Sequence, residues 1–149
     1  MITIGDIKKL REETGVSISE CKKALTEARG DFETAKEILR KLGKEVAGKR
    51  AEKEVFQGVI DSYIHPNKKI GVLVDLRCES DFVARSDDFR QLVHELCLQI
   101  AAMAPLTKDD LFSQPWIKDA SKTPKDLLNE YMAKIGEKIV VERFERYEL

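Results

Sequence analysis

The sharpest chemical pattern in the chain is Gly43-Lys44-Glu45-Val46-Ala47-Gly48-Lys49, whose glycines and final lysine have the spacing of a phosphate-binding loop. A working loop of that kind follows a strand, opens a helix and carries Ser or Thr after the lysine to hold Mg²⁺. Here Arg50 takes the hydroxyl position and a helical pattern precedes the segment, so this chain is not expected to bind nucleotide itself. The other reactive side chains are scattered. Cys21, Cys78 and Cys97 are odd in number, far apart and never in a Cys-x-x-Cys pair, and only His65 and His94 are available as further soft ligands. That spacing argues against a disulfide framework or zinc site and for a reducing compartment. No Ser-His-Asp ordering stands out, Cys78 has no evident base, and Asp109 and Asp110 read as solvated turn residues. Chemistry of the acid–base or nucleophilic kind therefore has no residues to carry it, and no catalytic, cofactor-binding or metal-binding residues are expected.

What remains is a binding pattern. Arg77-Cys78-Glu79-Ser80-Asp81-Phe82-Val83-Ala84-Arg85 marks the point where strand-like alternation ends and a helical run begins, with one bulky aromatic among charged and small neighbours. Burying a Phe is worth roughly 1.5–3 kcal/mol, so Phe82 either plugs this protein's own core or is held out as a probe for a partner's pocket.

The elements that would position Phe82 can be read from periodicity. Residues 3–42 form three short helices. Thr3 caps the first, with Asp6 in its first turn, Ile4, Ile7 and Leu10 as its stripe and Gly15 as its stop. Ser17 and Glu20 have capping-box spacing for the second, and Cys21, Ala24, Leu25 and Ala28 share its inner side. Asp31 caps the third, whose Phe32, Ala35, Ile38, Leu39 and Leu42 face the core and which Gly43 is expected to end. Residues 44–54, rich in Lys, Glu, Ala and Gly, read as a solvated linker that is partly helical.

From residue 55 the period becomes two. Segments 55–64 and 70–78 around His65-Pro66-Asn67-Lys68 read as an antiparallel hairpin. Its second strand puts Ile70, Val72, Val74, Leu76 and Cys78 on one face; the first is apolar on both, with Val55, Val59 and Tyr63 against Phe56, Ile60 and Ile64. Such a sheet needs two covers. One is the helix expected over 87–104, with Phe89, Leu92, Val93, Leu96, Ile100 and Met103 at helical spacing; the other can be a second copy of the chain or another protein. His94 lies near that stripe and reads as structural or surface, and Trp116 as packing over a core edge. A helix from Thr123-Pro124 to Gly136 and a final strand over 139–147, whose broken alternation suggests a bulge or two covered faces, complete the chain. The fold class is α+β: a three-helix module over 1–43, a linker over 44–54, and a three-stranded antiparallel sheet covered by helices over 55–149.

With 149 residues and a net charge of −1, one modest core fits and no global basic footprint exists, so neither a second large domain nor nucleic acid as the main partner is expected. The start is neither a signal nor a transit peptide and no apolar run reaches a membrane span, so a soluble, cytoplasmic protein is expected.

Ser80-Asp81-Phe82-Val83, after a Cys-ending strand and before Ala84-Arg85, resembles the Thr-Asp-Phe-Val signature of the bacterial elongation factor Ts family. Arg11-Glu12-Glu13-Thr14-Gly15-Val16 followed by Cys21-Lys22-Lys23-Ala24-Leu25-Thr26-Glu27-Ala28 resembles its amino-terminal signature, and Lys134-Ile135-Gly136-Glu137 its Lys-Ile-Gly-Glu-Asn motif. The resemblance implies a short-form guanine nucleotide exchange factor, not an enzyme, that binds elongation factor Tu in its GDP-bound and nucleotide-free forms and dislodges Mg²⁺ through Ser80, Asp81, Phe82 and Val83. It further implies that the first module is ubiquitin-associated-like and docks on the GTPase through Arg11 and Ile18, and that the chain pairs through its sheet as a homodimer. Ser80 stands for the usual Thr and Lys138 for the usual Asn. Between Ala104-Pro105 and Gln114-Pro115 the family carries a longer helical insertion, so contacts made through it are not expected here. A second reading, from another class, is a dimeric interaction scaffold or degenerate paralogue without exchange activity; it differs in tolerating loss of Phe82.

Overall fold

Local side-chain chemistry starts each helix of the amino-terminal half. The computed structural model describes all 149 residues. In α1 (Ile4–Thr14) the Thr3 hydroxyl accepts the Asp6 N–H while the Asp6 carboxylate accepts the Thr3 N–H, a complete capping box. That backbone donor, with the Thr3 hydroxyl, holds the Asp6 carboxyl below its usual range. Gly15 ends α1 in the left-handed region at φ 68°, a conformation open to glycine at no steric cost. Ser17 caps α2 (Ile18–Glu27) and Asp31 caps α3 (Phe32–Lys49). Their inner faces meet around Leu10, Cys21, Ala24, Leu25, Ala35 and Leu39, all buried. Ile4, expected in the α1 stripe, instead points to solvent.

The expected stop at Gly43 does not occur, because α3 runs on to Lys49. Gly43 is buried inside the helix, and a Cβ there would lie 1.9 Å from the carbonyl oxygen of Asn129. The glycine is needed for close approach to α7 (Pro124–Ile135), not for a turn. The same helical conformation removes any phosphate-binding loop: backbone N–H groups of residues 43–49 are committed along the helix and cannot converge on an anion. Residues Met1–Ala51 and Asn129–Glu137 thus make one compact unit, with the later turns of α7 as its fourth helical piece.

The second unit comprises Glu52–Leu128 and Lys138–Leu149. Its sheet has the order β1 (Gln57–Ile64), β2 (Ile70–Cys78), β3 (Ile139–Glu148), with both pairings antiparallel. Val72, Val74, Leu76 and Cys78 lie buried on one face of the central strand, as alternation requires. α5 (Asp87–Met103) covers that face with Phe89, Leu92, Val93, Leu96 and Ile100. Cys97 lies in the same helix, and burial pushes its thiol up to about 12.

After α6 (Lys108–Ser113), the irregular stretch that follows is tied to α5 by polar groups on the helix. The Gln99 side chain donates to the Pro115 carbonyl at 3.0 Å and accepts the Ile117 N–H at 2.9 Å, while Lys118 pairs with the buried Glu95 at 2.5 Å. Trp116 is half-buried there. The bulge expected from the broken alternation of β3 is present: Asp75 faces Arg143 and Leu76 faces Val141, leaving Glu142 unopposed. One extra residue flips the alternation, so Ile139 and Val141 face the core before the bulge while Arg143, Glu145 and Tyr147 face away from it afterwards. The outer face of the sheet has no cover from its own unit: Ile60, Ile64, Leu73 and Tyr147 are all exposed there. No helix of the chain is long and apolar enough to cross a membrane.

Candidate functional site: an exposed aromatic on a locked turn

β2 ends at Cys78, whose thiol donates to the Ser80 carbonyl at 3.2 Å, and Glu79 accepts the Lys138 N–H at 2.6 Å from the start of β3. The chain is thereby held on both sides before it turns. Ser80 then caps α4 (Asp81–Ala84), a single helical turn, by accepting the Val83 N–H at 3.2 Å. At the far end Ser86 donates to the Val83 carbonyl at 2.7 Å and accepts the Phe89 N–H at 3.2 Å, which starts α5. Two serines six residues apart thus clamp one turn between the sheet and the main core helix.

The turn sorts its side chains by rotation alone. Val83 and Ala84 face inward and are buried, packing α4 on β1 and β2, whereas Phe82 projects out with 86% of its surface exposed. The plug reading of Phe82 is therefore incorrect: Val83 and Ala84 occupy the inward positions, and no side of the turn remains for the ring to bury. The cap of this turn is Ser80, and the Asp81 carboxylate instead accepts from Arg85 Nε at 2.8 Å on the surface. An exposed i,i+4 pair of this type contributes about 0.3–0.5 kcal/mol.

Loss of the Ser80 cap is expected to loosen this turn. Ser80→Ala should lower stability by about 1 kcal/mol, read as a fall in thermal midpoint of about 2–4 °C. Ser80→Thr, which keeps the oxygen, should stay close to the parent.

Arg11 and Ile18 belong to the other compact unit. Both are exposed: Arg11 on α1, and Ile18 at the first position of α2 with 51% of its surface accessible, so Ile18 is not a staple buried in the bundle. Sequence reasoning marked the apolar residues of the sheet for a second cover but did not single out the charged residues of its outer face. Arg143 and Glu145 are the clearest case, since their outward direction depends on the bulge at Glu142, which composition cannot locate.

Comparison with known proteins bears on what such a turn is for. The family model described as Elongation factor TS matches residues 79–149, beginning one residue before the Ser80 cap. The Elongation factor Ts of Moorella thermoacetica is 42% identical over 194 aligned residues, covering 100% of this chain and 96% of that protein. The chain belongs to the elongation factor Ts family. Other elongation factor Ts relatives are similarly near: that of Thermotoga maritima is 41% identical over 191 residues, with 99% of this chain and 96% of the relative covered. That of Coprothermobacter proteolyticus is 40% identical over 188, with 96% and 95% covered. Within elongation factor Ts this chain is short. An alignment of 194 positions for a chain of 149 residues leaves at least 45 positions that the Moorella protein fills and this one does not. Between Ala104 and Gln114 the chain forms only the six-residue α6.

Proposed function

We propose that this member of the elongation factor Ts family is a guanine nucleotide exchange factor that binds elongation factor Tu carrying GDP and promotes release of the GDP. The observation that carries the reading is Phe82, almost fully exposed on a turn that Ser80 caps and that Val83 and Ala84 anchor in the interior. Exchange of this kind needs no reacting group. A factor that binds the nucleotide-free partner more tightly than the nucleotide-bound one weakens nucleotide binding by the same ratio. An apolar ring driven between partner side chains displaces the elements that hold Mg²⁺, and loss of the ion removes the charge that ties down the phosphates. Ser80, Asp81 and Val83 present the ring: Ser80 caps its turn, Val83 anchors it, and Asp81 offers a surface carboxylate for the partner.

The amino-terminal module over 1–43, ubiquitin-associated-like in this reading, docks on the GTPase through Arg11 and Ile18. The α+β part over 55–149, joined to it by 44–54, pairs with a second copy through its open sheet face. A test is release of a fluorescent GDP analogue from elongation factor Tu at fixed Mg²⁺. The native chain should accelerate release strongly and substoichiometrically. An unchanged rate would refute exchange activity and leave the scaffold reading.

A further inference from the structure

On the outer face of the sheet the charges are arranged unevenly. Ile60, Leu73, Asp75, Arg143, Phe144 and Glu145 line a shallow cavity of about 200 Å³ at its middle. Asp75, although on the open face, is only 8% exposed, and Arg77 satisfies both of its oxygens at 3.1 Å. Arg143 is therefore a surplus cation: its Nε stands 3.9 Å from the same carboxylate and its side chain is 79% exposed. Glu145, two residues further along β3 and on the same side, is exposed and forms no ion pair within the chain. A cation held only at 3.9 Å by a carboxylate that Arg77 already satisfies, and an anion with no ion pair, thus flank one cavity, roughly 7 Å apart along the strand.

We infer that Arg143 and Glu145 set the register of a two-fold pair of chains by forming reciprocal ion pairs, Arg143 of each copy with Glu145 of the other. The inference rests on the paired-chain reading given above. In an isologous contact, whatever residue i does to residue j is repeated by j on i. If the axis passes beside Phe144, the two β3 strands cross in opposite directions and each arginine meets a glutamate. A shift along the strand puts arginine against arginine, which excludes other registers. The occupant is a second copy because this face is complementary to itself in charge as well as apolar. A purely apolar partner would desolvate Arg143 and Glu145 without pairing them, a cost that association would have to overcome.

The test is sedimentation equilibrium of the full chain with Arg143→Glu, Glu145→Arg, their equimolar mixture and the double reversal, alongside thermal melts to confirm folding. Each single variant should weaken self-association at least about tenfold, because it opposes like charges twice. The mixture should recover association as a heterodimer, and the double reversal as a homodimer. Folded single variants that pair like the native chain, or a mixture that stays dissociated, would overturn the ionic register while leaving the paired-chain reading intact. A native chain that is monomeric up to its solubility limit would overturn that reading itself, and the register with it.

Discussion

Replacing Phe82 by alanine is expected to remove most of the acceleration of GDP release from elongation factor Tu without disturbing the fold. The ring is 86% exposed, so its own unit loses almost no buried area when it is cut back. The capping bonds of Ser80 and Ser86 involve backbone and hydroxyl groups that the substitution leaves in place. All of the cost then falls on the complex. An aromatic that anchors an interface is commonly worth 2 kcal/mol or more, and 1.4 kcal/mol is a factor of ten, so a loss of roughly 30-fold or greater in exchange efficiency is expected. Two measurements check this: nucleotide release at fixed Mg²⁺ and equal factor concentration, and a thermal melt within about 1 °C of the parent. A Phe82→Ala protein that is folded and still exchanges at the native rate would show that the wedge is not the working part.

Gly43→Ala is expected to destabilise the protein, against the usual direction for this substitution. In an open helix interior alanine is favoured over glycine by about 1 kcal/mol, since it restricts the unfolded chain and loses nothing in the helix. At Gly43 the new Cβ meets main chain: the Asn129 carbonyl oxygen at 1.9 Å, its carbon at 2.7 Å and the Cα at 3.2 Å. A side chain could swing aside from such a contact; a helix backbone cannot. α3 and α7 must separate, and the net expected cost is about 2–3 kcal/mol, or about 5–10 °C in thermal midpoint. Gly48→Ala is the internal control, because it lies in the same helix with nothing within 4 Å of its Cβ. It should hold or raise stability. If both substitutions raise the midpoint, the close approach of α3 and α7 does not limit stability.

The amino-acid sequence by itself determined the features that depend on near neighbours in the chain. Thr3, Ser17 and Asp31 cap the helices they were expected to cap, because a short polar side chain finds its backbone donor two or three residues on, whatever the rest of the molecule does. The hairpin and the apolar face of α5 were legible for a similar reason, since alternation by two or by 3.6 records which side of an element is wet. The location of the candidate turn was legible too, as the junction of those two periods with a serine at its start.

Tertiary structure alone decided the direction of four side chains and the meaning of one glycine. Phe82 had two compatible readings until Val83 and Ala84 were seen to fill the inward positions, and Ile4 sat on the expected stripe of α1 but has nothing to pack on. Arg143 and Glu145 face outward only because the bulge at Glu142 shifts the strand by one residue, and a one-residue shift reverses every side chain beyond it. Gly43 carried every local mark of a helix end, yet its role is set by a carbonyl oxygen 86 positions later in the chain. Capping and periodicity are local energies that the sequence states directly; close approach, strand register and burial depend on which distant residue arrives opposite, and only the folded chain settles that.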